Sequence, residues 1–350
     1  MHMVRISQII SAFLIVSTVM IFSPPYPLAS AAACGFGSSI TGGLCRGYLT
    51  SGTTWSVPSD WRSSGAIIEC VGPGGNGAST HPGAGGQGGG YGKVTSPSNI
   101  SAGDSLSVQV GTGGSTSATF LKNNLATTIC QGDYGGTSTT GAANNRTQTN
   151  IGTTLTSAGG NGASGSFSGG GGGGAGGPTG IGKNGGAAGG GGGTGGGASA
   201  GGGNGTGGGG TNGKGGGATF NGTPGGSGGT PGGSGSGDTS GGSGGGGGTT
   251  GAGGNGGKGG DGQEWDSTHG TGGGGGGGGG NANSTNGGNG GLYGGGGAGA
   301  GGGTGGTGGQ GIIVITYTPL AFTPGAPFSL SKLKLFGGTF RIMGGFLRIQ

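Results

Sequence analysis

The sequence predicts an all-β protein: a small β-sheet base into which a bundle of polyglycine II helices is inserted. Three observations lead there. The chain carries 119 glycines in 350 residues, and they make up more than half of the stretch 158–311. Short β-rich runs separated by Gly, Pro and Asn precede that stretch, and the most β-branched run of the chain, residues 311–318, closes it. A block that is mostly backbone has few side chains to bury, so it either stays unfolded or satisfies its amides by packing backbone against backbone.

Residues 1–33 read as a secretory signal. Arg5 supplies the basic n-region, Ile9 to Phe22 is an apolar run, and Ser23-Pro24-Pro25 breaks it ahead of the small residues Ala29 to Ala33. Cleavage is expected after Ala31 or Ala33, with a retained signal anchor as the alternative, although the run is shorter than the ~20 residues of a spanning helix. Cleavage just before Cys34 would fit a lipoprotein, but Ala31 stands where a lipobox usually has Leu. The expected location is therefore secreted or cell-surface. In such an oxidising compartment Cys34, Cys45, Cys70 and Cys130 are expected as disulfides, with three pairings open; local pairing of the first two and cross-strand pairing of the others is favoured. No Cys/His spacing suggests zinc.

The base, 34–157, draws its strands from segments at 53–58, 65–71, 91–95, 105–110 and 127–130. Leu106, Val108 and Val110 alternate with Ser107 and Gln109, the pattern of a half-buried strand. Residues 311–318 are expected to return to this sheet and complete it, so that the glycine block is a long excursion anchored at both ends. Anchoring matters because glycine loses the most backbone entropy on ordering.

Within 158–310, polyglycine II geometry has three residues per turn and lets neighbouring helices exchange backbone hydrogen bonds and Cα–H contacts. Collagen is excluded by the absence of a strict Gly-X-Y register and by only 13 prolines. Larger residues interrupt the glycine runs and are expected at outer faces or helix-to-helix turns, where recognition residues are commonly displayed. Asp261, Glu264, Trp265, Asp266 and His269 form the most polar cluster and the first candidate tip, since an aromatic beside carboxylates suits sugar recognition. Phe220 and Tyr293 are further candidates. A turn or lattice edge with no partner is the plainer account of all of them.

The net charge of +5 does not mark a nucleic-acid binder. Between residues 50 and 318 seven bases face all eight acids, and the excess comes from Arg5, Arg46 and the tail residues Lys332, Lys334, Arg341 and Arg348. Gly177 to Lys183 imitates a phosphate loop, but Asn184 replaces its Ser/Thr and no strand precedes it. Gly256 to Asp261 resembles the start of a calcium-binding nonapeptide, yet Gln263 occupies an apolar position and no tandem copy follows. After signal removal only His81 and His269 remain as histidines, and no nucleophile or glycosidase setting is visible, so neither an enzyme nor a cofactor is expected. The tail, 319–350, contains a rough repeat of Gly-Gly, aromatic, Arg and Ile that could form a small β-hairpin, a basic patch touching an anionic surface, or an unstructured end.

One ordered series of motifs is similar to a known family. Trp55-x-Val57-Pro58, then Ile67-Ile68-Glu69-Cys70-Val71-Gly72-Pro73-Gly74-Gly75, then Gly88-Gly89-Gly90-Tyr91-Gly92-Lys93-Val94, then Gly103 to Gly114, closed by Gly308 to Tyr317, resembles the glycine-rich domain family of secreted bacterial and phage tail proteins. The resemblance spans about residues 50 to 318. It implies a β-sandwich base with a polyglycine II layer, as in phage tail-tip adhesins and, more remotely, the glycine-rich domain of anaplastic-lymphoma-type receptor kinases. In the adhesins specificity lies in variable tips without a shared motif, so no binding residue carries over. A signal peptide departs from phage tail proteins and points to export by a cell.

Together these readings anticipate an exported, non-enzymatic structural or adhesin-like protein whose partner is a cell-surface glycan or protein receptor. Contact with membrane is expected only through the tail or an uncleaved signal. The alternatives are an ice-binding protein with a flat small-polar polyglycine face, and a disordered glycine-rich matrix protein. A regular Thr-bearing face would favour ice; varied, aromatic-tipped turns favour adhesion.

Overall fold

The computed structural model describes residues 34–40, 42–137, 153–165, 169–177, 181–182, 184–186, 255–259, 274–276, 278, 285–320, 340–343 and 346–349. The signal segment and the candidate tip residues Phe220, Asp261, Glu264, Trp265, Asp266 and His269 lie outside them. The described part is all-β, without helices, and its main unit, Ala33–Pro319, holds two antiparallel sheets.

Ten strands build this unit. They are β1 (Ser38–Ile40), β2 (Leu44–Leu49), β3 (Thr54–Ser56), β4 (Ile67–Val71), β5 (Tyr91–Thr95), β6 (Ser105–Gln109), β7 (Thr119–Lys122), β8 (Thr128–Gly132), β9 (Thr153–Ser157) and β10 (Ile312–Tyr317). One sheet has the order β1-β2-β10-β4-β5-β9 and the other β3-β6-β7-β8. β10 pairs with β2 on one side, Ile315 opposite Gly47, and with β4 on the other, Ile315 opposite Ile68. The last strand of this unit thus sits inside the sheet, between two of the first.

All six residues of β10 are buried, which explains its unbroken β-branched sequence. Ile313, Ile315 and Tyr317 join one core cluster with Cys45, Ile68, Cys70 and Val94 from the same sheet and Trp55, Leu106, Val108, Leu121, Ile129 and Cys130 from the other. Ile312 and Val314, on the opposite face, pack with Val71, Tyr91 and Ala175, and Tyr293 leans on that group. The second face of the sheet is therefore covered by residues of the glycine block. Beside this group the Tyr91 hydroxyl donates to the Glu69 carboxylate, and burial first, then the Glu69 charge, pushes the phenol well above its ordinary pKa.

The chain entry is tied to the same core. Phe36 meets Trp55 edge-on at 5.5 Å between ring centroids, Trp55 meets Trp61 at 5.6 Å, and Trp61 reaches Tyr317 at 5.3 Å. Gly47 makes room for Phe36, because a Cβ there would overlap the ring. The Tyr317 hydroxyl donates to Asp60, and Asp60 also accepts the Gly35 amide at 3.0 Å. Burial first, with the Asp60 charge beside it, pushes this phenol above its ordinary pKa. Trp55 and Trp61 hold their indole N–H groups buried without a hydrogen-bond partner, a cost that the aromatic packing has to outweigh.

The disulfides join Cys34 to Cys45 and Cys70 to Cys130. Both pairings are the ones the sequence favours, and the second joins two strands: Cys70 lies in β4 and Cys130 in β8, so it bridges the two sheets through the shared core. The first commits the Cys34 sulfur that a lipid anchor would need. Four strands, β1, β2, β7 and β9, go beyond those read from the sequence. β1 falls in the Gly-Ser-Thr stretch between Cys34 and Cys45, β2 begins at its end and runs on past Cys45, β7 is only four residues long, and β9 is three threonines, Leu155 and Ser157.

A separate unit contains the tail hairpin, β11 (Phe340–Met343) and β12 (Phe346–Ile349), paired antiparallel with Arg341 opposite Arg348.

Removing Cys70–Cys130 by paired alanine substitution is expected to lower the unfolding free energy by about 4 kcal/mol, and removing Cys34–Cys45 by about 3 kcal/mol, following the sequence separations of 60 and 11. Urea titrations followed by tryptophan fluorescence measure both. Equal losses would mean that local packing, not loop length, sets the effect.

Candidate functional site

The glycine segments are held by backbone hydrogen bonds whose direction rotates by one residue at a time. In 83–90 the amides of Gly83, Gly86 and Gly89 donate to Ala300, Gly297 and Gly294, those of Gly85 and Gly88 to Ala163 and Gly160, and those of Gln87 and Gly90 to Gly136 and Asp133. Each direction recurs every third residue. A β-strand alternates between two directions, so this pattern is not a sheet edge. Among the described residues, segment 294–300 exchanges bonds of 2.7–3.0 Å with stretches at 75–78, 83–89, 170–173, 276, 288 and 306–309. Neighbours run both ways: 83–89 is antiparallel to 294–300, whereas Gly170, Gly173 and Gly176 donate in step to Gly83, Gly86 and Gly89 and lie parallel.

This array reaches beyond the block expected at 158–310. It takes in the excursion 72–90 between β4 and β5, folded back so that Gly72, Gly75 and Ala78 donate to Gly90, Gln87 and Ala84, and the stretch 133–136 after β8. Close approach is what demands glycine here. A Cβ added to Gly86 would stand within 3.0 Å of the Gly75 carbonyl, and one added to Gly297 within 3.0 Å of the Gly306 carbonyl, both backbone atoms that cannot move aside alone.

At the outside of the array, among the described residues, side chains take over as acceptors of segment amides. Segments 255–259, 286–290 and 304–308 lie side by side and parallel, through Gly256 and Gly259 donating to Asn286 and Asn289, and Gly287 and Gly290 donating to Thr304 and Thr307. Across their outer surface the Asn255 Oδ1 accepts the Asn286 amide at 2.8 Å, Asn286 Oδ1 accepts that of Thr304 at 2.8 Å, and Asn289 Oδ1 accepts that of Thr307 at 2.9 Å. Asn76 Oδ1 and Ser79 Oγ, from the excursion after β4, accept the amides of Gly308 and Gly305 at 3.0 Å. Asn255, Lys258, Asn286, Asn289, Thr304, Thr307 and Ser79 are exposed. The result is a face of small polar groups at three-residue spacing, each carboxamide oxygen turned back to the backbone.

Of the sequence-predicted tips, Tyr293 alone is described. It lies in the turn after Leu292, partly buried against Val71, Tyr91, Ala175, Ile312 and Val314, so its ring contributes to packing over the sheet. The Asn/Thr face was not singled out from the sequence. Its signal was there in Asn286-x-x-Asn289 and Thr304-x-x-Thr307, a spacing of three that matches the hydrogen-bond period. Among the described residues no group of three or more His, Cys, Asp or Glu could hold a metal ion, and no helix is long and apolar enough to cross a membrane. Compared with models of protein families and with curated proteins, the chain matches none. The two disulfides are compatible with an oxidising, extracellular setting.

Gly297→Ala is expected to lower the unfolding free energy by about 1–3 kcal/mol through overpacking at the centre of the array. Asn289→Ala, which removes one outer acceptor, should cost about 0.5–1.5 kcal/mol. Urea titration of each variant checks the order. A Gly297→Ala protein as stable as the parent would mean that the segments do not pack this closely.

Proposed function

We propose that this chain is an exported, non-enzymatic scaffold in which a β-sandwich base carries a lattice of polyglycine II helices and displays outer residues for recognition at a cell surface or in a matrix. The observation that carries this reading is the three-residue recurrence of backbone hydrogen bonds in three directions, the period of a helix with three residues per turn. Parallel and antiparallel neighbours in one array suit such helices, because their hydrogen bonding does not depend on chain sense. The lattice uses its backbone groups internally and leaves function to what stands at its rim. A sandwich is supported by the core shared between the two sheets and by the disulfide that crosses it. The resemblance to the glycine-rich domains of secreted bacterial and phage tail proteins favours the same arrangement, and with it a glycan or protein receptor as partner.

One observation favours the second reading, ice binding. The face carrying Asn286, Asn289, Thr304 and Thr307 is regular, neutral apart from Lys258, and free of aromatics among its described residues, whereas adhesion by aromatic tips would draw on Trp265 and Phe220. The two readings part experimentally. On the first, the purified protein binds a subset of a glycan array and shows no thermal hysteresis; hysteresis with a blank array would reverse the ranking. Circular dichroism and limited proteolysis test the lattice beneath both: a polyproline-like spectrum and slow digestion within 158–311 are expected, and rapid digestion without that spectrum would leave the disordered-matrix reading in place.

A further inference from the structure

We propose that the C-terminal hairpin is a docking element for an anionic lipid surface. Its register sets Phe340 opposite Ile349, Arg341 opposite Arg348, Ile342 opposite Leu347 and Met343 opposite Phe346. Opposite residues of an antiparallel pair share a face and successive residues alternate. Phe340, Ile342, Leu347 and Ile349 therefore belong to one face, and Arg341 and Arg348, with Met343 and Phe346, to the other.

Two like charges placed directly opposite oppose the pairing that brings them together. A two-stranded hairpin is marginal in water even without that penalty. An external anion removes the repulsion, and the tail itself has no acidic side chain to do so: residues 319–350 contain Lys332, Lys334, Arg341 and Arg348 and not one Asp or Glu. The rest of the mature chain is close to neutral, so the positive field is concentrated in this tail. Its bases alternate with apolar residues, as in Leu333, Leu335 and Phe336. A polyanion such as nucleic acid would answer the charge and leave the apolar residues unused. The interfacial zone of an anionic bilayer answers both, through headgroup charge and an adjoining apolar layer.

The test uses the full chain with sedimented vesicles of phosphatidylcholine alone or mixed with phosphatidylglycerol, and reads the difference between the two, which an uncleaved apolar leader does not create. Binding is expected to favour the anionic vesicles and to fall as salt is raised. Arg341→Gln and Arg348→Gln should each weaken it about fivefold, the effect of one basic residue near an anionic surface. Both substitutions ease the cross-strand repulsion, so the hairpin should survive them. Arg62→Gln, an exposed arginine on the main unit, should leave binding unchanged. Equal binding to both vesicles, equal loss with Arg62→Gln, no loss with either tail substitution, or capture by soluble heparin without vesicle binding would each overturn the proposal.

Discussion

A glycine amide must find a carbonyl on another segment, and nearly everything else in this structure depends on that requirement. With no side chain to bury, the glycine-rich stretches cannot lower their free energy by transferring apolar surface out of water. What remains is the exchange of backbone hydrogen bonds at close range, individually worth about 1 kcal/mol net. Such bonds hold only where segments approach closely enough for a methyl group to be intolerable, as at Gly86 and Gly297. The side chains that do occur are therefore sorted by space. Alanine is accepted at Ala175 and Ala298, inside, while Asn286 and Asn289 stand at the rim and their side-chain oxygens accept the amides of Thr304 and Thr307.

The sheets give this array its boundary conditions. β4 and β5 emit and recover the 72–90 excursion, and β10 is the point at which the whole block rejoins the base. Because β10 has one face in the aromatic and aliphatic core and the other under Ala175 and Tyr293, the array and the base are stabilised by the same strand. Ordering glycine is entropically expensive, and fixing the ends of each run is what makes many weak bonds sufficient. The Cys70–Cys130 bridge reinforces this strand's neighbour from the side away from the glycine block.

How much of this was legible in the sequence depends on the element. β4, β6 and β10 announce themselves by β-branched or alternating residues, and the four cysteines announce two disulfides. β2 was hidden because Leu44–Leu49 carries Arg46 and Gly47 at positions where a strand signal would be apolar, and Gly47 is there for the ring of Phe36 rather than for a turn. The membership of 72–90 and 133–136 in the glycine array was hidden for a different reason: short glycine runs between strands look like turns, and a sequence does not record which way an amide points. The rim asparagines could have been found by looking for polar residues three apart. That period is carried by the hydrogen bonding, and it emerges from composition only once the geometry is in view.

The three-residue recurrence has a consequence for how such a chain can change over time. Adding or deleting one or two residues in a glycine segment would rotate every later amide away from its acceptor and bring a side chain such as Ala298 or Asn289 to the wrong side. Adding or deleting three would restore all directions at once. Length variation in the array is thus quantised, and point substitution at its interior glycines is nearly closed to the chain. Related sequences would be expected to diverge by multiples of three residues gained or lost and by exchanges at the rim, so that the width and texture of the outer face can drift while the interior stays glycine.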